Sequence, residues 1–170
     1  MALTNAQLTA LRAAVFGSPE AAALLSAGNA YGLRDWLNTG STFVVWRTSV
    51  SQDEIMMNGF DWVQVDNLSV GKARIWEWLF ANEARVINPS KVNVRAGIAE
   101  CWKGTAAMLA VQAVVLGHCK RAALRAEQML ATGTGTDAAP GLLTFEGAIS
   151  DTEAVKLVFK DDGTIWAAQG

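Results

Sequence analysis

Apolar and polar positions along this chain alternate mostly with a helical period. Leu8, Leu11 and Val15 fall at i, i+3 and i+7, behind Thr4 and Gln7 at capping-box positions. Gly17 stops this helix. Ser18-Pro19-Glu20 starts a second one through Leu24 and Leu25, closed by Gly28-Asn29. A third short helix is predicted over 31–38, and Ser51 caps a further turn with Asp53 and Glu54 in it. Ile75, Trp76, Trp78, Leu79 and Phe80 make 72–81 apolar nearly all round, which predicts burial on more than one side. Asn88-Pro89 starts the next helix, with Val94, Ile98, Cys101 and Trp102. Met108, Val111, Val115, Cys119, Ala122, Ala126 and Met129 then repeat at three- and four-residue spacing and predict one long helix over 105–131. Its first half is apolar all round and its second half amphipathic, as in a helix leaving a core.

Residues 42–48 have the β-branched and aromatic content of a strand, or of a buried extended linker, since no hairpin partner follows. Residues 59–69 are ambiguous, with Trp62, Val63 and Val65 apolar and Asp66-Asn67 turn-like. Beyond the long helix, the Gly, Thr and Ala of 132–140 read as flexible. A short β segment over 142–147 follows, then a helix over 151–159 capped by Ser150, and a turn at 161–164. This last part is short and polar, so its apolar partner is expected on another chain. The predicted fold is therefore mainly α: a helical bundle, body 1–131, with a long C-terminal helix and then an extended arm, 132–170, containing a short β segment. Trp76, Trp78, Leu143, Phe145 and Glu146 are the expected interface residues. A strand added through Leu143–Glu146 would give backbone hydrogen bonds to a neighbour and Phe145 a pocket.

Composition sharpens this picture. Of the 170 residues 51% are hydrophobic and 18% charged, which suits a large core or extensive interfaces. Seven Trp stand against one Tyr, and indole is a favoured interface anchor. No apolar run is long enough to span a bilayer, so no membrane partner is expected. The first residues carry no basic leader before an apolar run, so no secretory signal is predicted. Charge is segregated: residues 85–125 hold seven basic side chains against Glu100 alone, whereas 126–170 hold two basic against seven acidic. Opposite blocks suit a protein whose neighbours are copies of itself, or they lie on different solvated faces.

Chemistry is sparse. His118 and Cys119 are adjacent, about 100° apart on a helix, and cannot share a proton in line. Cys101 and Cys119 read as reduced, packed thiols, and with His118 they fall short of a zinc ligand set. Gly133-Thr134-Gly135-Thr136 follows a helix and carries no Lys, unlike a phosphate loop. No catalytic residue, metal or cofactor is predicted. Lys120, Arg121 and Arg125 would form a basic stripe on the long helix, able to meet DNA phosphates or a neighbouring subunit's acids.

The run Gly71-Lys72-Ala73-Arg74-Ile75-Trp76-Glu77-Trp78, with Asn88-Pro89-Ser90-Lys91 and Arg95-Ala96-Gly97-Ile98, resembles a family of tailed-bacteriophage virion proteins. His118-Cys119-Lys120-Arg121, Arg125-Ala126-Glu127, the run from Ala131 to Thr136 and Thr144-Phe145-Glu146-Gly147 resemble it more closely still. The similarity covers roughly residues 68–150. Earlier in the chain it rests on Asn5-Ala6-Gln7-Leu8 and Trp46-Arg47-Thr48. Phage proteins of this size and helical character often act as head-to-tail adaptors. The resemblance implies a homo-oligomeric ring, commonly a dodecamer, between the portal protein and the tail or nozzle protein. It implies a helical core, a C-terminal arm engaging the portal or a neighbour, and a central channel for passage of genomic DNA. Such a protein is made in the bacterial host cytoplasm and ends in the virion neck, with no catalytic residues. The alternatives are another neck, tail-completion or minor capsid protein and, in a different class, a phage DNA-binding or regulatory protein.

Overall fold

A computed structural model describes residues 2–167, and it is mainly helical. Along the chain run α1 (Asn5–Phe16), α2 (Pro19–Ser26), α3 (Ala30–Leu37), β1 (Gly40–Trp46), β2 (Val50–Ser51) and α4 (Gln52–Met57). A 3-10 turn (Trp62–Val65) leads to α5 (Val70–Leu79), β3 (Val86–Ile87), α6 (Val92–Cys101) and α7 (Ala106–His118). Then come β4 (Lys120–Leu124), α8 (Arg125–Leu130) and α9 (Asp151–Val158). Two units divide the chain: Met1–Val45 with Ala122–Gly170, and Trp46–Arg121.

In the first unit the helices start where the cap chemistry expects. Thr4 accepts the Gln7 amide at 3.2 Å while the Gln7 side chain accepts the Thr4 amide at 2.9 Å. Ser150 and Glu153 repeat the device at α9. Leu11 and Val15 of α1, Leu25 of α2, and Leu33 and Leu37 of α3 bury their apolar faces together. Leu157 and Val158 of α9 complete the same core, as do Phe145 and Ile149. Arg12 on α1 donates to the carbonyls of Leu157 and Lys156, which the end of α9 would otherwise leave unpaired.

This overturns the extended arm. The described part of 132–167 packs on its own unit: α9 lies against α3 and α1, and Phe145 is only 2% exposed. The division into a 1–131 body and a 132–170 arm gives way to a unit assembled from both ends of the chain. Phe145, Ile149, Leu157 and Val158 supply enough apolar surface to close a core that α1, α2 and α3 leave open on one side.

The single helix over 105–131 is likewise corrected. α7 ends at His118, the chain extends as β4, and the six-residue α8 follows. Among the described residues α7, with 13 residues, is the longest helix. β1 requires a hydrogen-bonding partner, and β4 supplies it, with the Ser41 hydroxyl donating to the Ala123 carbonyl at 2.9 Å. Tertiary pairing thus overrides a helical periodicity that continues through Ala122 and Ala126. The strand reading of 42–48 holds as β1, while 142–147 forms no named strand and contributes one bridge, Leu142 with Thr132.

The loop read as flexible is tied at both ends. Thr132 and Leu142 exchange both backbone hydrogen bonds, at 3.0 and 2.9 Å. Val44 donates to the Gly135 carbonyl at 2.7 Å and accepts from Gly141 at 2.8 Å. Glu127, buried on α8, takes the Leu124 amide on one carboxylate oxygen at 2.8 Å and the Gly147 amide on the other at 2.9 Å.

In the second unit α5 packs on α6 and α6 on α7. Gly97 permits the close approach of α5: a Cβ there would stand 3.2 Å from a Leu79 methyl. β2 pairs antiparallel with β3, Val50 opposite Ile87 and Ser51 opposite Val86. Phe60, Trp76, Phe80 and Trp102 fill the core, mostly edge to face, with centroids 5.0–6.0 Å apart. Among the described residues the Trp76 and Trp102 indole N–H groups meet no oxygen or nitrogen, and the neighbouring ring faces are the acceptors this packing offers. α6 begins at Val92, later than the Asn88-Pro89 signal, because Asn88 turns back to accept from Ser90.

Candidate interaction surface

The residues most able to do chemistry are committed to structure. Burial pushes the Cys101 thiol up to about 11 and the Cys119 thiol up to about 12, so both are protonated packing groups at neutral pH. The His118 Nε2 lies 2.8 Å from the Asn58 carbonyl, an acceptor, which places the proton on Nε2. Arg47 grips both carboxylate oxygens of Glu54 and reaches the His118 carbonyl at 3.1 Å. Its guanidinium holds the Glu54 carboxyl below the ordinary range, and together they pin α4 to the end of α7. Among the described residues no three His, Cys, Asp or Glu side chains converge as metal ligands.

The basic stripe is dispersed. Lys120 and Arg121 sit on β4, where successive side chains point to opposite faces, while Arg125 opens α8. The Lys120 ammonium lies 5.7 Å from the Trp46 ring, whose other cation is Arg95 at 4.7 Å. Arg125 stacks on Trp36 at 4.4 Å and stands 4.0 Å from Glu20. The predicted helix face that would have aligned the three cations does not exist.

The expected interface residues also separate. Trp76 is buried in the aromatic cluster and Phe145 in the first unit's core, while Leu143 and Glu146 are half-buried. Trp78 alone stands out, 67% exposed. Trp76 and Phe80 are buried and Ile75 and Leu79 pack against the same core, but one side of this helix faces out. Val70, Arg74 and Trp78 fall at i, i+4 and i+8 and form the outer side of α5.

No protein family, curated protein or solved structure matches this chain.

Other large apolar side chains of the same unit are exposed too. Val70 is 78% exposed, Met57 at the end of α4 81%, and Trp62 in the 3-10 turn 57%. Val63, Val92 and Leu109 are exposed as well, all within Trp46–Arg121. α7 is the most apolar helix of the chain, and its outward side, with Ala106, Leu109, Ala110, Ala113 and Gly117, carries no charge. Water against exposed apolar side chain is unfavourable by about 25 cal/mol per Å². The all-round apolar composition of 105–117 was the available signal, but it does not distinguish a helix buried in its own core from one covered by another chain.

Proposed function

We propose that this chain is a structural protein of a tailed-bacteriophage neck, a head-to-tail adaptor that assembles as a homomeric ring between the portal protein and the tail or nozzle protein. Genomic DNA passes through the channel of that ring. The reading joins the phage resemblance of residues 68–150 to one structural observation. The unit Trp46–Arg121 exposes Met57, Trp62, Val70 and Trp78, and the outer face of its helix α7 is uncharged. A protein that works by assembly needs such surfaces, and the buried, high-pKa thiols offer no nucleophile. The folded-back C-terminal segment removes arm exchange from the mechanism, so contacts between copies fall to the helical faces of the second unit. The dispersal of Lys120, Arg121 and Arg125 withdraws the feature that supported a DNA-binding regulator.

Native mass spectrometry of the purified chain, alone and mixed with the portal ring, tests this. A closed homo-oligomer or a stoichiometric portal complex is expected. A monomer in both preparations overturns the assignment.

A further inference from the structure

Of the asparagines in this chain Asn58 alone is followed by glycine; the others precede Pro89 or residues with an ordinary side chain. In any asparagine the peptide nitrogen of the next residue can close a five-membered ring on the side-chain carboxamide. A glycine there puts no side chain in the way. Asn58 ends α4 and Gly59 follows it in a bend, both exposed. Gly59 takes a φ of +78°, and a Cβ built on it would meet nothing within 4 Å. Among the described residues the Gly59 amide finds no backbone acceptor. The attacking nitrogen is therefore not held back, and the backbone around it has room to turn.

The fold favours ring closure in a second way. The amide that carries the Gly59 nitrogen has the Asn58 carbonyl as its oxygen, and the His118 Nε2 lies 2.8 Å from that oxygen. When the nitrogen loses its proton, the negative charge is shared with the oxygen, where the imidazole N–H already donates. Arg47 holds the His118 carbonyl at 3.1 Å and both carboxylate oxygens of Glu54, which keeps the end of α7 beside α4. Asp162-Gly163 gives the contrast. Gly163 has a φ of +79° and the same open space. Its amide, however, donates to the Lys160 carbonyl at 2.9 Å. The Asp162 carboxylate accepts from the Thr164 amide and hydroxyl at 2.9 and 2.6 Å, which favour its ionised form. An ionised carboxylate resists a nucleophile, so this second site is protected.

We propose that Asn58-Gly59 is a self-modification site, with His118 as its positioning residue. Hydroxide from water removes the Gly59 N–H proton, and the nitrogen bonds to the Asn58 carboxamide carbon. The carboxamide C–N bond breaks, its nitrogen takes up a proton from water and leaves as ammonia, and a cyclic imide remains. Water then adds to one of the two imide carbonyls. Opening at the side-chain carbonyl gives aspartate; opening at the backbone carbonyl gives isoaspartate, with an added methylene in the main chain. Nothing is oxidised or reduced. Either product loses the Nδ2 donor that meets the Glu54 carbonyl at 2.8 Å and sets a carboxylate at the negative end of α4. The modification thereby loosens α4 where it meets α7. It requires no second copy of the chain and is independent of the assembly reading above.

Peptide mass mapping of the full chain, kept folded in neutral buffer and sampled over time, tests this. It follows the mass gained when the carboxamide becomes a carboxylate, and electron-transfer fragmentation tells isoaspartate from aspartate. The peptide holding Asn58 should convert well ahead of those holding the other asparagines and give both products, while Asp162 stays unchanged. His118→Ala should slow the conversion by about 10-fold, the worth of one hydrogen bond to a developing charge. His118→Gln, whose Nε2 can still donate to the Asn58 carbonyl, should stay near the parent rate. In urea all three should convert alike, which separates the hydrogen bond from the reactivity of the dipeptide itself. Conversion of Asn58 in urea but not in the folded chain overturns the site. A folded Ala variant as fast as the parent, or a Gln variant as slow as the Ala one, overturns the role of His118.

Discussion

A Cβ atom on Gly135 would stand 2.1 Å from the aromatic ring of Phe43. Gly141 presses on the same ring, where a Cβ would come within 2.5 Å. Gly135 and Gly141 therefore cover an aromatic side chain. Both are required by space and Gly135 also by a φ of +67°. Gly135→Ala should destabilise the first unit by about 2–4 kcal/mol, combining steric overlap with left-handed strain. Urea denaturation of Gly135→Ala in the parent and in a Phe43→Ala background separates the two contributions. The overlap part should vanish in the second background, and equal costs in both would show that the ring is not what Gly135 accommodates.

Glu127 joins α8 to the segment leading to α9 through the Leu124 and Gly147 amides. Glu127→Ala leaves two backbone donors without their acceptor in a buried place and should cost about 2–5 kcal/mol. Hydrogen exchange at the Gly147 amide should accelerate more than at amides in the middle of α1. Uniform acceleration would mean that the carboxylate does not act locally.

Glu153 makes stability depend on pH. Burial by itself would raise its pKa, but the Ser150 amide and hydroxyl and the Leu3 amide outweigh it and hold the carboxyl below its ordinary value of 4.5. The unfolded chain then binds the proton more readily. The stability Glu153 contributes is present above 4.5 and is lost as pH falls through the lower folded-state value. Urea midpoints measured from neutral pH downwards should fall less steeply for Glu153→Gln than for the parent. Superimposable slopes would remove Glu153 as the titrating group.

The thiols make a prediction about reactivity. With Cys101 near 11 and Cys119 near 12, the thiolate fraction at pH 8 is on the order of one in a thousand or less. Iodoacetamide should alkylate neither cysteine in the folded protein over a period that modifies both completely in urea, as peptide mass mapping would show. Rapid native labelling of either would place it outside the core.

Trp76 and Trp78, two positions apart on α5, should behave oppositely. Trp76→Ala empties the centre of the aromatic cluster and should cost about 3–5 kcal/mol. Trp78→Ala should leave monomer stability within about 0.5 kcal/mol, since its ring faces solvent. Equilibrium unfolding of both at a concentration where the chain is monomeric decides this, and similar losses would contradict the burial of one and exposure of the other.

Local chemistry made most helix starts legible from residue order. The Thr4–Gln7 box, Ser51 and Ser150 each satisfy amides within three residues, and Pro19 has no amide to satisfy, so their effect needs no distant partner. The mainly helical class followed from the same short-range reading. Three decisions lay elsewhere. β4 interrupts a good helical pattern because β1, some eighty residues earlier, has amides to pair. Phe145 and Leu157 are core because α1 and α3 present an open apolar side. The second unit's core is built on Trp76, Trp102 and Val111, while Trp78 on α5 and Leu109 on α7 stay exposed. Hydrogen-bond demand and apolar area are settled between segments remote in sequence, and periodicity within one segment contains no information about what stands opposite it.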